Sequence, residues 1–209
     1  TKALGVSLQK ANEKKILLPA YLCETEVDPW KDLGWTISFY QINRDFTICV
    51  DDLQRKIELF HPALVMVQSY FGFLQGSKGL NKVLESYRNS HGIVIEDITQ
   101  SLFTDKPMCD VDFYVASLRK FIAIPDGGVL ISREELGFDS IERSDNKIEE
   151  IAKKAFSTKK EYFTSLNPET KSSFRKLYQS LNDLIVANDK LYEISPLSSK
   201  IFSCLNYDK

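Results

Sequence analysis

Short, nearly continuous apolar runs recur along the first two-thirds of the chain and alternate with segments of helical periodicity. Apolar runs without polar alternation are typical of strands that are covered on both faces. Because helices intervene between them, these strands are expected to pair in a mostly parallel sheet. The sequence therefore predicts an α/β fold with helices on both faces of the sheet. The predicted strands are Ile16–Ala20, Trp35–Tyr40, Ala63–Val67, Gly92–Ile95, Asp112–Val115 and Gly128–Ile131.

Two segments between the predicted strands have the apolar spacing of helices. Residues 51–60 form the first, with Asp51 or Asp52 as the expected N-cap, and residues 78–88 form the second. Helices between apolar strands are typical of a mostly parallel sheet.

The last third of the chain has a different composition. Residues 145–193 are rich in Lys, Glu, Ser and Asn, and Asn167 followed by Pro168 indicates a helix start. We expect two or more amphipathic helices that pack over the sheet domain or a neighbouring subunit. The predicted organisation is a large-domain core over 1–135, then, over 136–209, a helical segment that leads into an incomplete small domain.

The composition is ordinary for a globular chain and excludes several classes of function. Of the 209 residues, 43% are hydrophobic and 27% are charged, and the net charge is −2. No basic excess indicates nucleic-acid binding, and no apolar run approaches the roughly 18 residues that span a bilayer. The four cysteines are scattered and there are only two histidines, so we expect no metal site and reduced thiols, as in the cytoplasm.

An acid and a lysine, Asp97 and Lys120, each come shortly after a predicted buried strand. In open α/β sheets, ligands bind outside the carboxyl ends of the strands, so both side chains are expected at one edge. Pyridoxal phosphate uses such a pair, because a lysine binds it as a Schiff base and an acid pairs with its ring nitrogen. The alternatives are a surface lysine and a helix cap. Adjacent strand residues face opposite ways, so only one of Glu96 and Asp97 can point into the site.

Further polar and aromatic residues follow the same strand ends. Gln100 lies about one helical turn after the acid and could bond a ring substituent, whereas Ser117 could donate to a phosphate. Tyr21, just after the first strand, could stack on a cofactor ring. The alternatives are an ordinary turn serine for Ser117 and loop or core packing for Tyr21. The Asp-Gly-Gly sequence at 126–128 indicates a tight turn, which a ligand could also approach closely.

Together, these residues resemble the fold-type I pyridoxal-phosphate aminotransferases, and most closely the DegT/DnrJ-type family of nucleotide-sugar aminotransferases. That family places Glu-Asp-x-x-Gln at one strand end and the Schiff-base lysine at the next, and a Gly-Glu-Gly-Gly turn follows the lysine. The resemblance covers roughly residues 4–135. The matching stretches are Leu17–Tyr21, Phe39–Tyr40 with Ile42 and Asp45, Val67–Gly72, Ile95–Ser101, and Lys120 with Pro125–Gly128.

The resemblance implies an aspartate-aminotransferase-like large domain and a role for each matched residue. Lys120 would bind the cofactor and move protons, and Asp97 would pair with the pyridinium nitrogen. Gln100 would contact the ring hydroxyl and Ser117 the phosphate, although the family's serine usually lies further upstream. The implied reaction moves an amino group from an amino acid such as glutamate to a keto-sugar nucleotide, in a homodimer whose active site lies at the interface.

The chain departs from the family pattern at both ends. The family normally has a glycine-containing turn whose backbone amides hold the phosphate, whereas this chain starts at Thr1–Leu4, where the following helix is expected. Its final segment, from Ser195, matches the point at which the family's small domain begins. We expect either a fragment of a larger enzyme or a reduced member that acts as a binding or assembly module in a polysaccharide pathway. A pyridoxal-phosphate enzyme for a non-sugar substrate is a third possibility.

Overall fold

The computed structural model describes residues 2–8, 13–73, 77–104, 108–133, 135–138, 141–187 and 190–205. The chain divides into two compact units. The first comprises Thr1–Ser117 and Val129–Phe138, and the second comprises Leu118–Gly128 and Asp139–Lys209. The helices and strands are, in chain order, α1 (Lys2–Ser7), β1 (Lys15–Pro19), α2 (Glu24–Asp32), β2 (Thr36–Tyr40), α3 (Val50–Phe60), β3 (Leu64–Gln68), α4 (Lys78–Asn89), β4 (Ile93–Asp97), β5 (Phe113–Ser117), β6 (Gly128–Ser132), α5 (Asn146–Ser165), α6 (Pro168–Val186) and α7 (Pro196–Ser203).

The six strands form one sheet in the order β2-β1-β3-β4-β5-β6. The pairs β1–β2, β1–β3, β3–β4 and β4–β5 are all parallel, which confirms the predicted mostly parallel sheet. Parallel neighbours end at the same side of a sheet. We call this side the carboxyl edge, and strands β1 to β5 end there at Pro19, Tyr40, Gln68, Asp97 and Ser117.

Helices cover both faces of the sheet, as the apolar runs predict. On one face, alternate strand residues pack against Leu53 of α3 and Leu84 of α4. On the other face, the intervening residues pack against Leu4 of α1 and Trp30 of α2. Because helices shield both faces from solvent, the strands show no alternation of polar and apolar residues.

Helix α2 is a feature that the sequence does not predict, because Pro29 lies inside it. Proline removes one backbone donor and is normally excluded from helix interiors. Here Val27 and Trp30 are buried on the sheet-facing side of the helix. Their burial contributes about 1.5–3 kcal/mol each, enough to offset the lost hydrogen bond.

The predicted N-cap of α3 is wrong. The helix begins after Cys49, which makes no side-chain cap. The carboxylate of Asp52 instead accepts the backbone N–H of Gln41 at 2.8 Å and pairs with Arg55. The acid therefore joins the loop after β2 to the helix, a contact that competes with capping.

The second unit contains two long helices that pack along each other. Ile148 and Ala152 of α5 and Leu181 of α6 are buried between them, which confirms the predicted amphipathic helices. Helix α6 begins as predicted, since the Asn167 side chain accepts the N–H of Glu169 at 2.8 Å. Within the described ranges, no helix is long and apolar enough to cross a membrane.

Candidate cofactor site

Asp97 is the last residue of β4 and is only 2% exposed. It stands opposite Gln68 of β3 and Val115 of β5 in the strand register. One carboxylate oxygen, Oδ1, accepts the N–H of Thr99 at 2.7 Å, as in an Asx turn. One oxygen is therefore engaged in a local turn rather than in the helix cap that the sequence left open, and a carboxylate has further acceptor positions for a ligand.

Glu96 lies on the opposite face of the sheet from Asp97. Its carboxyl group is 0% exposed, and Oε1 accepts the N–H of Met108 at 3.3 Å. Burial, reinforced by the nearby charge of Asp97, raises the pKa of Glu96 to about 7. The two neighbouring acids are therefore in different environments, and Asp97 is the one beside the ends of both neighbouring strands.

Thr99 is a buried residue that joins the ends of β4 and β5. Its N–H bonds Asp97, and its hydroxyl accepts the N–H of Ser117, the last residue of β5, at 2.9 Å. The structure thereby brings Asp97 and Ser117 together through one residue, which bonds the first with its backbone N–H and the second with its hydroxyl. The sequence analysis missed Thr99, because a threonine after a strand carries no pattern that separates it from any other loop residue.

Gln100 connects the loop after β4 to the loop after β3. Its side-chain oxygen accepts the N–H of Phe71 at 2.5 Å, which turns the NH2 half of the amide away from that loop. Phe71 has φ 55° and Gly72 has φ 79°, so the loop turns through the left-handed region. A Cβ on Gly72 would lie 3.2 Å from the backbone oxygen of Gln100, and the glycine therefore permits this close approach.

A cluster of four aromatic rings occupies the loops after β1, β2 and β3. The Tyr21 ring lies 5.4 Å from Phe46 and 5.5 Å from Tyr70, and Phe46 lies 5.0 Å from Phe71. Tyr70 is buried and donates its hydroxyl to the Tyr21 carbonyl at 2.7 Å. Tyr21 is 53% exposed and Phe71 is 58% exposed, so both rings have surface available to a flat ligand. Of these rings, the sequence identifies Tyr21 as a candidate for stacking, and Tyr70 and Phe71 lie within the matching stretch Val67–Gly72.

Lys120 belongs to the second unit, where it is exposed at the end of a single 3-10 turn over Leu118–Lys120. The N–H of Leu118 donates to the carbonyl of Gly127 at 3.2 Å and closes a loop, which we call the lysine loop (residues 118–127). Gly127 has φ 125°, a conformation that favours glycine at the predicted turn.

Asp126 anchors the lysine loop to the start of α7. Its carboxylate accepts the N–H and the hydroxyl of Ser195, at 2.8 and 2.6 Å, and the hydroxyl of Ser198. Asp126 is 9% exposed and both serines are 0% exposed. Sequence reasoning assigned Asp126 only to a turn. Ser195 followed by Pro196 indicates a helix start, but nothing in the sequence pairs it with an acid 69 residues away.

In the first unit, the structure therefore brings four of the predicted residues to the carboxyl edge: Tyr21, Asp97, Gln100 and Ser117. Lys120 follows the end of β5 by three residues in the chain and lies in the second unit. The arrangement at the edge combines a buried carboxylate, an oriented amide, a hydroxyl and exposed rings. Such a set suits a flat, polar ligand with a cationic nitrogen.

The comparisons with known proteins agree with this fold. No protein-family model matches the chain, and no curated protein matches it by sequence. Among solved structures, the chain resembles the sugar aminotransferase CalS13 from Micromonospora echinospora, with a TM-score of 0.52 and 18% identity over 64% of this chain and 39% of that chain. It also resembles a DegT DnrJ EryC1 StrS aminotransferase from Brucella abortus, with a TM-score of 0.51 and 17% identity over 74% of this chain and 42% of that chain.

A third similar structure is a putative PLP-dependent aminotransferase from Bacillus cereus, with a TM-score of 0.50 and 18% identity over 64% of this chain and 39% of that chain. At such low identity, these likenesses show the fold, and they confirm the predicted aminotransferase-type α/β architecture. The matched region spans about two-fifths of each of these proteins.

Proposed function

We propose that the chain carries the cofactor-binding part of a pyridoxal-phosphate-dependent aminotransferase that acts on a nucleotide-linked keto-sugar. The observation that carries the proposal is the buried carboxylate of Asp97 at the end of β4, with Lys120 three residues after the end of the neighbouring strand β5. A fold by itself does not determine a reaction, and these two residues are what distinguish this one.

The residues at the carboxyl edge fit the cofactor. Gln68 is opposite Asp97 in the register and is 4% exposed, and its Oε1 has no hydrogen-bond partner within the described part of the chain. A buried acceptor beside a buried carboxylate favours a ligand that brings a donor or a positive charge. A protonated pyridine nitrogen is such a group.

Each residue would hold a different part of the cofactor. Asp97 would accept the hydrogen bond of the ring nitrogen, and its negative charge would keep that nitrogen protonated. Gln100 would donate its NH2 group to the ring hydroxyl, Ser117 would donate to the phosphate, and the exposed ring of Tyr21 would stack on the pyridine. Lys120 would bind the cofactor covalently through Nζ.

When bound, pyridoxal phosphate supplies an electron sink for bond breaking at the amino-bearing carbon. Asp97 would support that sink by accepting the hydrogen bond of the ring nitrogen. Once the donor's amine has replaced it on the cofactor, the freed Nζ of Lys120 would take the proton from the donor's amino-bearing carbon and return a proton to the acceptor, as a positioned general base and acid does. We propose glutamate or a similar amino acid as the donor, a homodimer as the functional assembly, and the cytoplasm as its location.

The test is whether Lys120 attaches the cofactor. The protein is purified with excess pyridoxal phosphate, reduced with borohydride and digested, and the modified peptide is identified by mass spectrometry. We expect a protein-bound absorbance band that borohydride abolishes, and a mass added at Lys120. Lys120→Ala should abolish both, whereas Lys200→Ala, a change at another exposed lysine of the second unit, should leave both intact.

A label on several lysines, or an unchanged band in Lys120→Ala, would refute the assignment. If the protein binds no cofactor at any concentration, the result would instead support the alternative that the sequence leaves open, a non-catalytic binding or assembly module.

A further inference from the structure

Helices α5 and α6 form a hairpin that ends in an exposed turn. Two residues separate the helices, and the ring centres of Tyr162 in α5 and Phe174 in α6 lie 5.4 Å apart, so the helices run antiparallel. We call residues 153–176 the hairpin tip. Ala155 is the only buried residue of the tip, and every residue from 163 to 169 is exposed. Most of its side chains therefore lie outside the hydrophobic core between the two helices.

The hairpin tip is basic, although the chain as a whole is not. It contains seven lysines and arginines and two acids, which gives +5, whereas the whole chain has a net charge of −2. Among the residues that the structure describes, Lys153 is the only one of the seven that pairs with an acid, Glu149 of the preceding turn. The other six positive charges are therefore available to an anionic partner.

Two large apolar side chains lie among these charges. Phe163 and Leu166 are each 67% exposed, and residues three apart at a helix end are neighbours. Nζ of Lys159 lies 6.0 Å from the centre of the Phe163 ring. Nζ of Lys171 lies 5.8 Å from the centre of the half-buried Tyr162 ring. Apolar and aromatic side chains flanked by lysines are typical of segments that enter the interface of a lipid bilayer.

These two features together favour a lipid surface over other partners. A second copy of the tip would set +5 against +5, which like-charge repulsion opposes. A nucleic acid would neutralise the lysines through its phosphates but would offer the aliphatic Leu166 no comparable apolar surface. A bilayer with anionic headgroups satisfies both, because the headgroups attract the lysines and the acyl boundary receives the apolar side chains.

We propose that the hairpin tip binds the surface of membranes that contain anionic phospholipids, with Phe163 and Leu166 inserted at the level of the headgroups. The lysines and Arg175 lie against the lipid phosphates. Binding of this kind is peripheral and reversible, since it depends on two apolar side chains and a basic cluster. The cytoplasmic leaflet of a membrane is anionic, which fits the cytoplasmic location proposed above. The proposal is independent of the aminotransferase assignment, because no residue of the tip takes part in it.

The test is flotation of the whole chain with two kinds of vesicle, phosphatidylcholine alone and phosphatidylcholine mixed with phosphatidylglycerol at about 2:1. We expect partition into the mixed vesicles to be at least about tenfold stronger, and to fall about tenfold when the salt rises from about 0.05 to about 0.5 M. Lys159→Gln combined with Lys171→Gln should weaken the partition by about tenfold or more, because each basic residue near the surface contributes about fivefold. Phe163→Ala combined with Leu166→Ala should weaken it by about fivefold or more.

Two variants serve as matched controls. Lys78→Gln combined with Lys82→Gln removes the same charge from two exposed positions of α4 in the first unit. Leu59→Ala removes an apolar side chain of α3 that is 69% exposed, close to the 67% of Phe163 and Leu166. We expect each control to change the partition by less than about twofold.

Phe163→Trp reports whether the tip itself enters the membrane. The two native tryptophans, Trp30 and Trp35, are 0% and 5% exposed, so the added indole supplies the signal that responds to vesicles. We expect its emission to shift to shorter wavelength with the mixed vesicles and to be quenched by brominated lipids.

Several results would overturn the proposal. They are the absence of partition into the mixed vesicles, equal partition into both kinds of vesicle, equal losses in the tip and control variants, and a Phe163→Trp emission that vesicles leave unchanged. A single-stranded oligonucleotide that binds more tightly than the mixed vesicles at the same salt would identify a nucleic acid as the partner instead. A dimer that Phe163→Ala with Leu166→Ala dissociates, in a protein that no vesicle binds, would identify a second copy of the chain.

Discussion

Glu96→Gln should raise the free energy of unfolding at neutral and alkaline pH, because it removes the charge of a fully buried carboxyl group. Burial is the main reason that the pKa of Glu96 rises from 4.5 to about 7, and the charge of Asp97 adds to the rise. Hydrogen bonds from the Met108 and Cys109 amides oppose it. The folded protein therefore holds this proton more tightly than the unfolded chain does.

The sign and size follow from the difference between the two states. From about pH 4.5 to about pH 7 the folded state binds more protons, so the free energy of unfolding falls as the pH rises and this contribution then levels off. At about 1.4 kcal/mol per pH unit, the full decline is about 3 kcal/mol. The amide in Glu96→Gln cannot ionise, and its oxygen can still accept the Met108 N–H. Because the new NH2 group needs an acceptor of its own, we expect a gain of about 1–3 kcal/mol at about pH 8 and little gain at about pH 5.

Urea unfolding monitored by tryptophan fluorescence measures this change in the unit that contains Glu96. Both tryptophans, Trp30 and Trp35, are buried in that first unit. Glu85→Gln, the same substitution at an exposed site on α4, is the control and should not alter the pH dependence. If Glu96→Gln is less stable than the parent protein at both pH values, or retains the parent's decline with pH, the reasoning from charge burial is refuted.

Three further predictions follow from the contacts of single residues. Asp126→Ala removes the only acceptor of the buried Ser195 N–H among the described contacts and leaves the Ser195 and Ser198 hydroxyls only each other, so we expect a loss of about 3 kcal/mol. Urea unfolding followed by helical circular dichroism measures this loss, and an unchanged midpoint would contradict it. Gly72→Ala should lower the free energy of unfolding by about 1–2 kcal/mol, because φ is 79° and the added methyl group would lie 3.2 Å from a backbone oxygen. Gly137→Ala, with open space around the added methyl group, is the control and should be near neutral. Equal effects of the two substitutions would contradict the strain at Gly72. Asp97→Asn should weaken pyridoxal phosphate binding by about tenfold to a hundredfold in an absorbance titration, and unaltered affinity would rule out its pairing with the ring nitrogen.

The fold and the edge positions of the candidate residues could be predicted because both depend on local pattern. Apolar runs identify buried strands, and parallel strands place whatever follows them at one edge, so Asp97 and Ser117 are found from strand position alone. Partners distant in sequence could not be predicted in this way. The bond between Asp126 and Ser195 joins a turn to a helix start, and neither local pattern specifies which acid meets which serine. Helix α2 was missed for the converse reason, since tertiary burial overrides the local effect of its proline.

Two buried polar atoms at the carboxyl edge have a stability cost that a bound ligand would relieve. Gln68 Oε1, at the end of β3, and Ser101 Oγ, in the loop after β4, have no hydrogen-bond partner among the residues that the structure describes. Leaving such an atom buried costs about 1–3 kcal/mol, and apolar side chains occupy most of the remaining positions of β3 and β4. Departures from full polar satisfaction are expected where a ligand, rather than the chain, completes the hydrogen bonds. Gln68 stands opposite Asp97, so its unpartnered atom lies beside the carboxylate that we assign to the cofactor. This position supports the assignment independently of any likeness in fold.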